Sequence, residues 1–228
     1  MSGEPTGSGL LGRYDAHDLH MLCMLVLTCS TGISDAVGYL GLDRVFTGNM
    51  TGNVVILGMG LAGSDGLPVL GPLLALAAFM AGAAVAGRVL RPATTAWPRH
   101  ITLVLLGVAA AFTVAGIGLC VLDRAVALHP VTVILAAASG MQAAAARNVA
   151  IKDVTTVVVT STNVGLAADS SLGGAKQHPW ARRAGAIIAI GAGAFLGALL
   201  MQIHIAIAVF LSAALTLIVA VIGRQGRR

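Results

Sequence analysis

The chain has 228 residues, of which 57% are hydrophobic and 10% are charged. An ordinary soluble domain has about 25% charged residues, and a single core of this length could not bury so large an apolar share. The composition therefore excludes a water-soluble globule and predicts an all-α integral membrane protein whose surplus apolar surface faces lipid. At about 20 residues per helical span, the length allows at most about eight crossings and no separate soluble domain.

The basic character of the chain does not predict a nucleic-acid-binding protein. The net charge is +5, but the 14 Lys and Arg residues are scattered over short connections and form no long basic run. Cys23, Cys29 and Cys120 lie inside apolar runs without C-x-x-C spacing. We expect no metal and no cofactor, with the lipid bilayer as the main partner. The sequence does not define the oligomeric state.

Eight apolar runs follow one another along the chain. Six of them are long and uniform enough to span a bilayer, whereas residues 46–61 and 154–172 are interrupted by Thr, Ser, Asn and Gly. Backbone this polar survives at membrane depth only where protein or a wet cavity covers it, so these two segments are predicted to be internal. The eight runs are residues 20–42, 46–61, 67–90, 101–122, 131–149, 154–172, 184–201 and 205–223.

The two polar segments resemble each other. A shift of 110 positions aligns Asp43 with Asp153 and Asn53 with Asn163, and the order of long and short runs repeats with the same shift. This pattern predicts an internal duplication. The predicted organisation is a cytoplasmic N-terminal tail (1–19), one transmembrane domain (20–223) with repeat halves of about 20–122 and 131–223, and a basic C-terminal tail (224–228).

The distribution of positive charge distinguishes two topologies. If all eight runs cross the membrane, the Lys and Arg residues divide 8 to 6 between the two sides. If the two polar segments enter and return on the same side, the division becomes 12 to 2, with only Arg44 and Arg124 outside. The positive-inside rule favours the second topology, which has six spans, two re-entrant or short membrane-embedded segments, cytoplasmic termini and inverted repeats. Eight full spans remain the alternative.

Asp35 lies within the first predicted span, where a carboxylate is costly and usually faces the bundle interior or water. At 100° per residue it shares a polar stripe with Thr28 and Thr31, which predicts that this face contacts protein. Two interpretations stay open. Asp35 could bind a proton or a cation, or it could be a structural acid that pairs with Arg147 or caps a helix break near Gly32.

The first polar segment carries Asn49, Thr51 and Asn53, with the two asparagines one helical turn apart. Such a stretch can expose backbone carbonyls and amides that replace the water around a small ion or polar solute, as the broken helices of transporters do. The alternative is that Gly48-x-x-x-Gly52 allows close helix packing while the asparagines tie loops together.

In the second half, Thr160 and Asn163 lie on one helical face, and Gln142 lies on a similar polar face of the preceding span. Arg147 comes at the end of that span. It could extend to the cytoplasmic interface, or it could reach Asp35 or an anionic solute.

Several of these residues form four motifs: Gly32-Ile33-Ser34-Asp35-Ala36, Asn49-Met50-Thr51-Gly52-Asn53, Gly140-Met141-Gln142 with Arg147, and Thr155-Thr156. Together they resemble the YoaK-like bacterial membrane proteins, a largely uncharacterised family. The resemblance covers about residues 17–223 and implies a multi-pass protein of the bacterial inner membrane, without supplying a reaction or a substrate.

The leading hypothesis is a transporter or channel for a small polar or ionic solute. One alternative is a non-transporting membrane protein for assembly or signalling, whose polar segments only hold helices together. An intramembrane enzyme would need an acid–base pair such as Asp35 with His204, and no catalytic motif supports it, so we expect no enzyme. The predicted solute-path residues are Asp35, Asn49, Thr51, Asn53, Gln142, Arg147, Thr160 and Asn163.

Overall fold

The computed structural model describes residues 16–64, 66–91, 97–149, 164 and 180–224. These residues form seven helices and no strand, and six of the helices are long and apolar enough to cross a membrane. The prediction of an all-helical membrane protein with six long apolar helices is therefore confirmed. The helices are α1 (Ala16–Gly41), α2 (Met50–Leu61), α3 (Leu70–Leu90), α4 (Arg99–Val121), α5 (Arg124–Val149), α6 (Trp180–Met201) and α7 (Ile205–Ile222).

Two helices begin at places that the apolar runs did not predict. Helix α5 begins at Arg124, well before residue 131, because Pro130 and its neighbours interrupt the apolar run without breaking the helix. Helix α2 begins only at Met50, since Asn49 is its N-cap and accepts a hydrogen bond from the backbone N–H of Gly52. With 12 residues, α2 is about 18 Å long, roughly half of what a span requires.

Aromatic and basic side chains mark the two ends of the helix bundle. At one end, here called the Trp97 end, the indole of Trp97 stacks on His20, with 5.1 Å between ring centroids. Gly223 lies directly against the same indole, so α1 begins and α7 ends there. At the other end, the Gly41 end, the guanidinium of Arg124 donates to the carbonyl oxygen of Gly41 at 2.9 Å.

The chain enters and leaves α2 at the same end of the bundle. The Arg44 guanidinium, which precedes α2, donates to the carbonyl oxygen of Gly66, which follows it, at 3.1 Å. Gly71 in the first turn of α3 packs against the carboxylate of Asp43. Helix α1 therefore arrives at the Gly41 end and α3 departs from it, with α2 between them.

The segment between α5 and α6 also has both of its flanks at one end. Val149, at the end of α5, belongs to the same buried apolar cluster as Trp97. Met201, at the end of α6, contacts Gly41, so α6 begins at the Trp97 end. The predicted polar segment 154–172 lies, apart from residue 164, outside the described residues.

Four glycines allow two pairs of helices to pack backbone against backbone. Helix α1 crosses α6, and α5 crosses α3, each at a distance that leaves no room for a β-carbon at the crossing glycine. Helices α4 and α7 pack against each other and against this central arrangement. The glycines, each with the residue whose carbonyl oxygen an added β-carbon would overlap, are Gly32 with Ile190, Gly193 with Cys29, Gly140 with Phe79 and Gly82 with Ala137.

Candidate functional site

The carboxylate of Asp35 holds the loop that leads into α2. Its Oδ1 atom accepts hydrogen bonds from the backbone N–H groups of Thr47 at 2.8 Å and Gly48 at 2.7 Å. The hydroxyl of Thr47 donates to the same oxygen at 3.2 Å. Because Asp35 is six residues before the end of α1 at Gly41, these bonds place the loop about 9 Å inside the span.

The backbone reverses direction sharply to reach this depth. Arg44 has a φ of 49°, in the left-handed region that non-glycine residues seldom adopt, and the backbone N–H of Val45 donates to the carbonyl of Gly38 at 3.3 Å. Gly48 then lies against the side chain of Thr31, where a β-carbon would not fit. The loop therefore runs back along α1 before α2 begins.

The two asparagines of the first polar segment have different roles. Asn53 is fully buried and binds both backbone groups of Phe46, accepting from its N–H at 2.8 Å and donating to its carbonyl at 2.7 Å. Asn49 is exposed and caps α2 through Gly52. Thr51 is also exposed, in the first turn of α2. Asp35, Asn49, Thr51 and Asn53 are thus gathered around the N-terminus of one half-length helix.

Gln142 joins three helices in the bundle interior. Its Nε2 atom donates to the carbonyl of Leu27 at 3.1 Å and to the hydroxyl of Thr31 at 3.0 Å, both on α1. Its Oε1 atom accepts from the hydroxyl of Thr216 on α7 at 3.4 Å. The side chain is 2% exposed, so all three bonds are shielded from lipid and water.

Hydroxyl groups extend this network in both directions. Ser30 and Ser212 exchange hydrogen bonds between their hydroxyls and each other's carbonyl oxygens, at 3.2 and 3.3 Å. Toward the loop, the Thr47 hydroxyl, which shares its one proton between Asp35 and Ser34, lies 3.0 Å from the Ser34 oxygen, and Ser34 donates to the carbonyl of Thr31. Polar contacts therefore continue from α7 through α5 and α1 to the beginning of α2.

The sequence analysis missed Ser212 and the other α7 hydroxyl of this network. The signal was present, since Ser212 and Thr216 stand four residues apart in the most hydrophobic of the six long helices. Two hydroxyls on one face of such a helix indicate a face that contacts protein.

Arg147 does not join this site. It is exposed in the last turn of α5, on the Trp97 side of the contact between Gln142 and Thr31, whereas Asp35 lies on the Gly41 side. Counting helical rise from that contact separates the Cα atoms of the two residues by roughly 13 Å along the helix axes. The Asp35–Arg147 pair that the sequence left open is not formed, because the bonds of Asp35 go to the loop before α2. Helix α1 is continuous through Gly32, so there is no break there for Asp35 to cap.

The remaining predicted residues, Thr160 and Asn163, lie outside the described residues. Within the described part of the chain, no Lys, Arg or His forms an ion pair with Asp35, and no group of three His, Cys, Asp or Glu side chains could hold a metal ion. Ser139 is a further polar residue of the interior. Its hydroxyl is buried and has no hydrogen-bond partner among these residues.

Six long apolar helices around a buried polar network, with a half-length helix packed against α3, define a multi-pass membrane protein. The chain belongs to the DUF1275 family, described as protein of unknown function, whose model matches residues 23–222. It is 35% identical over 151 residues to the UPF0700 transmembrane protein YoaK of Bacillus subtilis (strain 168), which covers 65% of this chain and 66% of that protein. The chain thus matches slightly less than two thirds of that relative's length. No solved structure matches the chain.

The family match confirms the resemblance to YoaK-like proteins that the sequence motifs indicated. The match supports a membrane protein of an uncharacterised family, and it brings no substrate or reaction with it.

Proposed function

We propose that the protein is a transporter or channel for a small polar or ionic solute in the bacterial inner membrane. The observation that carries this proposal is the N-terminus of α2, which Asp35 holds inside the span through the N–H groups of Thr47 and Gly48. Non-helical backbone at this depth is tolerated where it is buried in protein or lines a wet cavity. Discontinuous helices of this kind form the solute sites of many secondary transporters.

The glycine crossings support an arrangement of two inverted repeats. Gly32 and Gly140 are 108 positions apart, and their contacts Ile190 and Phe79 are 111 positions apart. Three long helices in each half give the halves opposite orientations in the membrane. The flanks of α2 lie at the Gly41 end and those of residues 150–179 at the Trp97 end, which supports two re-entrant segments that enter from opposite faces.

The positive charges support an orientation with the Trp97 end in the cytoplasm. Arg44 and Arg124, the two described Arg residues at the Gly41 end, both donate to backbone carbonyls and so have local structural roles. By the positive-inside rule the richer end is cytoplasmic, together with both chain termini. The described residues at that richer end are Arg88, Arg91, Arg99, Arg147, Arg182, Arg183 and Arg224.

Flux into proteoliposomes, measured for a panel of small ions and polar solutes, tests the proposal. Asp35→Asn keeps the shape of the side chain but removes its charge, and we expect it to lower flux at least tenfold. Thr113→Ala is the control, because among the described residues the Thr113 hydroxyl bonds only the Ala109 carbonyl of its own helix. Unchanged flux in Asp35→Asn would exclude the proposed path.

Cysteine accessibility tests the re-entrant topology separately. Single cysteines at positions 43 and 65 should react from the same side of the membrane, since Arg44 and Gly66 are in contact. Reaction from opposite sides would mean that the first polar segment crosses.

A second candidate function is a non-transporting membrane protein for assembly or signalling. The bonding of Asn53 and Gln142 favours it, because both side chains are directed entirely at protein groups and leave no polar atom for a solute. A cysteine at Thr51, in a chain whose native cysteines are replaced, distinguishes the two candidates. Labelling by a water-soluble thiol reagent supports a pathway, and the absence of labelling supports a dry interior.

A further inference from the structure

We infer that the protein binds a small monovalent cation between α1 and α5, at the hydroxyl of Ser139 and beside the carboxylate of Asp35. The inference rests on the proposed function for its biological role, because it identifies the transported solute or the coupling ion as a cation. The binding itself can be measured without any transport.

Ser139 is the first observation. Its side chain is 5% exposed, and its hydroxyl has no hydrogen-bond partner among the described residues. Burying an unpaired hydroxyl is costly, and nearly all buried polar groups in proteins have a partner, an ion or an ordered water. The lone pairs of this oxygen are therefore available to a ligand that is a cation or a hydrogen-bond donor.

The register of the two central helices places Ser139 near Asp35. Gln142 contacts Thr31, and α1 and α5 run in opposite directions. Ser139 is three residues before Gln142 and so lies closer to the Gly41 end of the bundle. Asp35 is four residues after Thr31 and is displaced toward the same end. Ser139 and Asp35 thus lie within about one helical turn of each other in height.

The proposed repeat accounts for the unpaired hydroxyl of Ser139. Thr31 and Ser139 are 108 positions apart, as are Ser34 and Gln142. On one side of the crossing, the long Gln142 side chain reaches Thr31. On the other side its counterpart is Ser34, which has three fewer heavy atoms and donates to the carbonyl of Thr31 on its own helix. Helix α1 therefore offers Ser139 no long polar side chain like the one that α5 offers Thr31, and in the proposal a ligand bonds the Ser139 oxygen instead.

The charge of the site favours a cation. The hydrogen bonds that Asp35 accepts come from neutral donors, and no described cationic side chain is paired with it. The side chain is 8% exposed, so part of it can still be contacted. One carboxylate together with hydroxyl oxygens suits an alkali ion, whereas divalent ions usually recruit several carboxylates or many waters.

Thermal unfolding of the purified full chain in detergent tests the inference. The protein is compared in chloride salts of lithium, sodium, potassium and choline at constant ionic strength. We expect one alkali ion to raise Tm by roughly 5 °C over choline, with saturation as its concentration increases. If no alkali ion raises Tm over choline, the inference is wrong.

Two serine variants locate the site. Ser139→Ala removes a hydroxyl that has no hydrogen-bond partner among the described residues, so it should fold at least as well in choline and lose the alkali-dependent rise. Ser212→Ala is the matched control, because it breaks the exchange with Ser30, lowers Tm in every salt and keeps the rise. Retention of the rise in Ser139→Ala would overturn the location.

Two further variants guard against loss of folding. Ser139→Cys replaces the oxygen by a sulfur of similar volume, which is a poor ligand for alkali ions, and should also lose the rise. Asp35→Asn should lose the rise through the missing charge.

A rise in Tm without measurable flux would leave the cation site in place and remove the transport proposal. Flux in a protein whose Tm is insensitive to every alkali ion would remove the cation site and leave the transport proposal in place.

Discussion

Helices α1 and α5 both lie at the centre of the bundle, yet they differ in their polar side chains. Each crosses a peripheral helix through a glycine, Gly32 in α1 and Gly140 in α5, and each contact is with backbone. Two to three positions beyond its glycine, α1 carries Ser34 and Asp35, whereas α5 carries Gln142 and Ala143. Three positions beyond the glycine, α1 has the carboxylate of Asp35 and α5 has the methyl group of Ala143.

The comparison separates residues that helix packing requires, the crossing glycines, from polar residues that it does not require. Backbone contact demands glycine at both crossings, so the same residue recurs. The polar residues are free to differ, and they have different tasks. Asp35 holds the loop before α2, while Gln142 joins α5 to α1 and α7. The side chains that are not shared between the two helices are therefore the better candidates for function.

Alanine at the crossing glycines should have the largest effect. A β-carbon at Gly32 or Gly140 would overlap a backbone carbonyl that cannot move without separating the helices. We expect each substitution to lower the free energy of unfolding by about 3 kcal/mol, at the upper end of overpacking costs. Denaturation in mixed micelles measures this.

The control for this comparison is Gly191→Ala, because a β-carbon there has open space around it. It should be neutral or slightly stabilising, since alanine is the better helix former. A harmful Gly32→Ala beside a harmless Gly140→Ala would show that the two crossings are not equivalent.

Asp35→Ala should have the next largest effect. It removes the hydrogen-bond acceptor of two buried N–H groups, those of Thr47 and Gly48, and we expect a loss of about 2–3 kcal/mol, near the lower end of the cost of two unsatisfied groups. Asp35→Asn should cost less, because its carbonyl oxygen can still accept. Limited proteolysis of the loop before α2, together with the free energy of unfolding, measures both variants. Equal stability of the alanine variant and the unmodified chain would show that the carboxylate does not hold the loop.

The two asparagines around α2 provide a comparison within one motif. Asn53→Ala leaves both backbone groups of the half-buried Phe46 without these partners, and we expect a loss of about 2 kcal/mol. Asn49→Ala removes an exposed N-cap and should cost about 1 kcal/mol. The same micelle denaturation ranks them. A larger loss for Asn49→Ala would reverse the roles that burial gives them.

The sequence predicted the long helices well and the site less completely. Six uniform apolar runs are a strong signal, because lipid requires about 20 apolar residues of every span. The polar stretch that contains Asn49 and Asn53 was correctly predicted as too polar to be an ordinary span, and six long helices are found in the described residues. The prediction that the whole stretch is internal is wrong for α2, which among the described helices packs only against α3 and leaves Val54 and Leu61 exposed. The local geometry of the stretch was not predictable, since spacing alone does not show that Asn49 ends a loop and Asn53 lies inside a helix.

The partners of Asp35 could not be predicted for a different reason. The bond to Gly48 depends on how the chain reverses at Arg44, whose left-handed backbone is rare for arginine and has no sequence signal. In the sequence, Arg147 is a candidate ion-pair partner for Asp35 because it is the nearest cation to the polar face of α5. The direction of α5 then places it at the opposite side of the Gln142 contact. Pairings across helices depend on such directions, which residue types do not encode.

Gln142→Leu should have a small effect, similar in size to that of Asn49→Ala, and it tests whether α5 and α1 differ in the roles of their polar side chains. Leucine has a similar volume, so packing is largely kept. The groups that lose Gln142 keep other bonds, because the carbonyl of Leu27 still accepts from Thr31 and the hydroxyl of Thr216 still donates to Ser212.

Interhelical hydrogen bonds in membranes contribute about 0.6 kcal/mol on average, so we expect a total loss for Gln142→Leu of about 1 kcal/mol. Thr31→Val, alone and combined with Gln142→Leu, isolates the bond between the two residues in a double-mutant cycle. Asp35→Ala differs because it deprives buried N–H groups of the acceptor that the structure gives them. A loss for Gln142→Leu as large as that of Asp35→Ala would mean that the amide of α5 holds the bundle as firmly as the carboxylate of α1 holds its loop.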